Sequence, residues 1–167
     1  MISEKDLKYL KQTGCSESVI RHSIAVTEEA LKIAAKVKFT IDLDLLKAGA
    51  INHDIGRSRT HDLDHFVAGA EIARELGFEE KVINIIERHI GAGIPREEAV
   101  TLGLPDRDFI PGTPEEILVA YADNLARGDV IVSFEDALEG FRSRIGRDHP
   151  AIDRFTEMHE KVQSWLR

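Results

Sequence analysis

Ile51-Asn52-His53-Asp54-Ile55-Gly56 is the stretch from which the rest of this chain can be read. An imidazole is followed directly by a carboxylate in an apolar surrounding, so both groups fall at one mostly buried point. A buried carboxylate is too costly to keep ionised without a cation or several donors beside it. Neutral imidazole and ionised carboxylate together suit a first-row divalent metal. We therefore expect a metal site at His53 and Asp54, with the remaining ligands arriving from other segments.

Helical periodicity supplies candidates at intervals. A helix from about 16 or 18 to 38 places His22, Val26, Ile33 and Val37 on one stripe. A second, over 42–52, aligns Leu46, Ala50 and His53, with Gly56 letting the chain turn away into a polar loop over 57–62. Helices over 64–76 and 79–90 carry His65, Gly69, Ile72 and Leu76, then Val82, Ile86 and His89. Thr113-Pro114-Glu115-Glu116 combines an N-cap, a first-turn proline and a capping-box glutamate, and the helix it opens holds Asp123 in an apolar face. Any one of these histidines judged alone reads more readily as a hydrogen-bonded core residue than as a ligand. Several of them with two aspartates, all on inner helix faces, carry more weight.

The flanking segments read as packing elements. Ser3 with Asp6 suggests a capping box for a short first helix, Ser133 with Asp136 opens one ending at Gly146, and Pro150 opens the last. Residues 94–112, with three prolines, read as a long loop over the site, and a lid is the expectation. No run shows convincing strand alternation. The fold class expected is all-α, a bundle of seven to eight helices forming one domain over 1–167, with the metal-site core in 16–128.

Totals narrow the function. The chain has 167 residues, 43% hydrophobic and 31% charged, the profile of a folded domain. It has no run long and apolar enough to span a membrane and no signal-peptide pattern, so a cytoplasmic location is expected. A single cysteine, Cys15, excludes a multi-thiolate metal site within the chain. A formal charge of −8 argues against an extended nucleic-acid surface. A small anionic substrate remains open if metal ions and a few arginines reverse the field locally.

The order His22, His53-Asp54, His65, His89, Asp123 resembles the HD-domain superfamily of metal-dependent phosphohydrolases. The segment 51–56 is similar to its HDIG variant, and the resemblance spans Arg21 to Arg127. It implies that His22, His53, Asp54 and Asp123 hold a first ion, and that His65 and His89 serve a second bridged by Asp54. This six-ligand pattern is similar to that of HD hydrolases of diadenosine tetraphosphate and of small stand-alone archaeal HD proteins. The reaction implied is hydrolysis of a nucleotide, dinucleotide or other small phosphoester by a metal-activated hydroxide, as phosphatase or phosphodiesterase (EC 3.1 or 3.6 type). One or two divalent ions, Fe, Mn, Co, Ni, Zn or Mg, are the implied cofactor.

Arg57 stands where many such proteins carry a lysine and is a candidate phosphate clamp. Arg59, Arg88 and Arg127 are candidates for the same role, and each also reads as a solvated surface arginine. His61 is a candidate proton donor to the leaving group, or a bystander. Two other readings stay open. One is a di-iron oxygenase using the same ligands, the other a non-catalytic nucleotide-binding domain. A homodimer is compatible with the sequence.

Overall fold

Side-chain caps start the helices in the computed structural model, which describes residues 1–167. Ser16 accepts from the Val19 amide ahead of α2 (Glu17–Ala34), and Asp42 accepts from Leu45 ahead of α3 (Leu43–Asn52). Thr113 accepts from Glu116 ahead of α7 (Pro114–Asn124), and Ser133 from Asp136 ahead of α8 (Phe134–Ile145). Each bond satisfies an amide that would otherwise lack a partner in the first turn. The expected box at Ser3 and Asp6 forms, with Asp6 accepting from the Ser3 amide at 2.7 Å, but it closes a turn, and α1 (Lys8–Gln12) begins later.

Between α3 and α4 (His65–Glu75) the chain makes one 3-10 turn, Ile55–Ser58, where a loop was expected. Helix α5 (Glu80–Glu87) ends before His89, short of the expected 79–90. Helix α2 likewise stops four residues early. Residues after Ala34 pair with the C-terminus instead, where the Lys38 amide donates to the Trp165 carbonyl at 2.8 Å. That segment follows α9 (Pro150–Trp165).

The core forms in parts. Val26, Leu46, Leu118 and Phe155 belong to a large apolar cluster joining α2, α3, α7, α8 and α9. Leu10, Ile51, Ile55 and Ile86 belong to a second, on the side of α1, α4 and α5. Helix α3 serves both, so its end, where His53 lies, is wedged between the two. This position takes the imidazole out of water and fixes it, which a metal or catalytic site requires.

Residues 94–112 overturn the expectation of a long loop. They contain α6 (Arg96–Thr101), which brings the count to nine α-helices where seven to eight were expected. The Ile94 and Phe109 backbones exchange hydrogen bonds of 2.9 and 2.8 Å. Phe109, only 1% exposed, packs edge-on against Phe66 at 5.1 Å. A segment pinned by backbone pairing and a buried aromatic ring is not built as a lid. A two-residue hairpin, β1 (Ala126–Arg127) with antiparallel β2 (Val130–Ile131), is also absent from the helical reading. No helix is long and apolar enough to cross a membrane.

Candidate metal centre

Six side chains converge from separate elements. His22 projects from the second turn of α2, His53 caps the end of α3, and Asp54 follows it. His65 opens α4, His89 lies just past α5, and Asp123 is next to last in α7. His53 and His89 have no exposed surface.

Every imidazole is oriented by a backbone carbonyl. The Nδ1 atoms of His53, His65 and His89 each lie against the carbonyl three residues earlier, at Ala50 (2.7 Å), Asp62 (2.9 Å) and Ile86 (2.6 Å). His22 sits inside a helix, where the preceding carbonyls are already engaged. Its acceptor is the carbonyl of Gly128, 2.6 Å away in the β1–β2 turn, where a positive φ of 64° suits glycine. The hairpin that the periodicity does not reveal therefore aims a candidate ligand.

With Nδ1–H donating outward, each neutral ring presents the Nε2 lone pair inward. The lone pairs meet one another and two carboxylates. On one side the His22 Nε2 lies 3.2 Å from that of His53 and 3.0 Å from Asp123 Oδ1, and His53 Nε2 lies 3.4 Å from the same oxygen. Asp54 Oδ2 joins them at 3.5 and 3.7 Å. On the other side His65 and His89 Nε2 are 3.3 Å apart, and Asp54 Oδ1 lies 3.2 and 3.3 Å from them. Asp54 thus turns one oxygen to each group.

This donor set fits metal ions. Ligands about 2.1 Å from a cation are separated by about 3.0 Å on an octahedron and about 3.4 Å on a tetrahedron, which matches the spacing within each group. Acceptors packed this closely without a cation must share protons instead. Burial opposes charge on His53, yet the carboxylates of Asp54 and Asp123 outweigh it and push its pKa up to about 9. His22 is raised for the same reason, its bond to Asp123 overcoming burial. Burial also opposes ionisation of Asp54 and Asp123, but the charge on His53, with hydrogen bonds from the other histidines, holds both well below the usual carboxylate range. His89 is lowered by burial.

Beside Asp123 opens a cavity of about 340 Å³, lined also by Gly91, Asn124, Arg127, Phe141 and Arg144. A larger one, of about 570 Å³ near Tyr9 and Phe78, is lined by none of the six residues.

The arginines divide. Arg57 reaches the cluster, its Nε 3.3 Å from Asp54 Oδ2 and its Nη1 3.1 Å from the His61 carbonyl. Arg127 lines the cavity. Arg59 does not reach the site, because it pairs with Glu71 (2.8 Å) and Glu75 (3.6 Å) on the outside of α4. Arg88 is turned to buried Glu116, with Nη1 3.1 Å from each carboxylate oxygen, and so braces α5 against α7. His61 is exposed, and its side chain makes no hydrogen bond with the cluster.

The HD domain family model matches residues 19–128. The chain belongs to the HD-domain family. This HD-domain protein is 47% identical over 167 residues to an uncharacterized protein of Methanocaldococcus jannaschii, covering 98% of each. It is 41% identical over 154 residues to the tRNA (cytidine(56)-2'-O)-methyltransferase of Thermoplasma volcanium, which covers 92% of the chain but only 44% of that enzyme. The chain thus spans less than half of that longer relative. Among solved structures, the HD domain of the L. monocytogenes phosphodiesterase PgpH, in complex with cyclic-di-AMP, superposes with a TM-score of 0.57 at 18% identity. The match covers 96% of this chain and 94% of that one, which establishes the shared fold.

A pH dependence follows for this HD domain. In the metal-free protein the proton on His53 stabilises the fold below its unfolded pKa of about 6.5, and that contribution is lost as pH rises through about 9. Metal must displace the same proton. The gap in Tm between metal-loaded and chelated protein is therefore expected to widen from pH 6 to pH 9, with proton release on loading seen by calorimetry in buffers of different ionisation heat. A gap that is flat across this window would contradict the assignment.

Proposed function

We propose that this HD domain is a metal-dependent phosphohydrolase acting on a small phosphoester, of nucleotide type, as phosphatase or phosphodiesterase. The observation that carries the reading is the pair of inward-facing acceptor groups sharing Asp54, next to a cavity whose wall is cationic. In this reading His22, His53, Asp54 and Asp123 hold one divalent ion, and Asp54, His65 and His89 hold another. Bound there, a pair of ions supplies Lewis-acid charge to a phosphoryl group and acidifies a water.

The protein's own part is placement. The carbonyls of Ala50, Asp62, Ile86 and Gly128 hold the imidazoles in the tautomer that faces inward. Arg57 keeps its second terminal nitrogen without an intramolecular partner, available to a phosphoryl oxygen beside Asp54. The buried setting of the histidines strengthens each of these electrostatic interactions. Membership of the HD family supports the hydrolytic class, and the PgpH complex with cyclic-di-AMP supports a small nucleotide as ligand.

The test is metal analysis of the purified protein together with a panel of phosphomonoesters and phosphodiesters, each assayed with Fe, Mn, Co, Ni, Zn and Mg. Close to two ions per chain and metal-dependent release of phosphate or nucleoside monophosphate are expected. Oxygen consumption by the iron-loaded protein without phosphate release would overturn the hydrolytic reading in favour of an oxygenase. Tight nucleotide binding without turnover under any metal would reduce the domain to a binding module.

A further inference from the structure

Arg127 and Arg144 differ from the other arginines. Apart from them and the terminal Arg167, every arginine of the chain has a carboxylate partner. In a chain with 30 acidic residues and a net charge of −8, leaving two guanidiniums free of carboxylates at one place is a selective arrangement. They also face each other. A Cβ built on Gly140 of α8 would lie 3.6 Å from Arg127 Nη2 and 3.7 Å from Arg144 Nη1, so both heads converge on one spot of that helix.

Neither head is left to wander. Arg127 donates to the Asp136 carbonyl at 3.2 Å, and Arg144 lies over the Phe141 ring at 5.0 Å. Glu139, the acid nearest in sequence to this face of α8, is engaged by Arg142 and Arg147 instead. Two like charges held together without a counter-charge repel, and an anion between them removes that repulsion.

Both arginines line the same cavity as Asp123, a residue of the cluster that would hold metal. We propose that Arg127 and Arg144 form a binding site for a second phosphoryl group, so that the substrate carries one phosphoryl group at the metal centre and another at this pair. This deepens the hydrolytic reading and rests on it. The cavity of about 340 Å³ lies near the lower end of the roughly 300–1,000 Å³ usual for ligand pockets, which suits a compact molecule such as a nucleoside diphosphate. Planar guanidiniums recognise phosphate through paired N–H donors, and Gly140 leaves room for the ligand where any long side chain would occupy it.

Calorimetric titration of the metal-loaded protein with methylenediphosphonate and with methylphosphonate tests this, with metal content checked after each run. Neither probe needs turnover to report binding. The diphosphonate is expected to bind at least about tenfold more tightly than the monophosphonate, and the share of that preference that depends on the two arginines reports the second site. Arg144→Gln and Arg127→Gln are each expected to lower that ratio at least about threefold. Both residues are exposed, so both variants should fold, which thermal unfolding verifies. Arg142→Gln removes the same charge from the same helix and should leave the ratio intact. A ratio near unity in the unaltered protein overturns the inference, as does one that survives both substitutions or falls equally in Arg142→Gln. Phosphoester turnover with a ratio insensitive to Arg127 and Arg144 would sink this inference alone. A sensitive ratio without any turnover would leave the anion site standing and remove the hydrolytic reading.

Discussion

Asp54→Ala is expected to empty both halves of the metal centre and to lower turnover by at least about 10³-fold, equivalent to roughly 4 kcal/mol of lost transition-state stabilisation. The reason is its position. Its Oδ1 faces His65 and His89 at 3.2 and 3.3 Å, and its Oδ2 faces His22 and His53 at 3.5 and 3.7 Å, so this one carboxylate turns an oxygen to each group. His65→Ala, in contrast, touches only one group and should cost no more than one ion per chain. Elemental analysis of the two variants separates these outcomes. Asp54→Asn is the companion variant, since it keeps the side-chain volume and removes only the charge. It should lose metal equally while retaining the helical circular dichroism of the parent. Full metal content in Asp54→Ala would refute the bridging role, and with it the two-ion reading.

The parts of this site that periodicity can expose are those on helix faces. His22 shares a stripe with buried Val26 and Ile33, and Asp123 follows buried Val119 and Ala120, so their inward direction was legible from spacing. What spacing cannot show is pairing between distant backbone segments. The Gly128 carbonyl that aims His22 comes from a hairpin too short to alternate visibly, and the Ile94–Phe109 pairing that fixes 94–112 joins residues of no shared period.

The arginines fail for a related reason. Arg88 adjoins His89, but α5 has ended at Glu87 and Arg88 is the non-helical residue that caps it, so its side chain leaves toward Glu116 while His89 turns inward. Arg59, five residues after Asp54, is drawn outward by two glutamates one turn apart on α4. Proximity in sequence is not direction. Arg144, which periodicity assigns to a packing helix, had one available signal. Gly140 is a glycine inside a helix, a choice that costs roughly 0.5–1 kcal/mol relative to alanine and so draws the eye to the face of α8 on which the two arginine heads lie.

Gly56→Ala is expected to be the most destabilising small substitution in the chain. The notion that this glycine merely lets the chain turn away is corrected by the structure, since its φ is not positive and it lies within the 3-10 turn. Its constraint is contact. A Cβ at this position would sit 1.8 Å from the His65 carbonyl oxygen, 2.6 Å from the Gly69 amide nitrogen and 2.8 Å from the His65 carbonyl carbon. Carbon atoms pack best at about 3.5–4.0 Å, so all three contacts are deep overlaps. All three are with backbone, and no rotamer change relieves them. Either the 3-10 turn or the start of α4 must move by more than an ångström. The first shift displaces Asp54, two residues upstream, and the second displaces His65 itself. We expect a loss of at least about 3 kcal/mol, lowering Tm by about 6–12 °C for a domain of this size, together with reduced metal content in whatever folds. Gly112→Ala is the control, because the nearest atom to a Cβ there is 4.0 Å away, and its Tm should stay within about 2 °C of the parent. Equal thermal midpoints for the two variants would show that the turn after Asp54 is free to yield, and that the close seat of Gly56 on α4 does not hold the two halves of the centre in register.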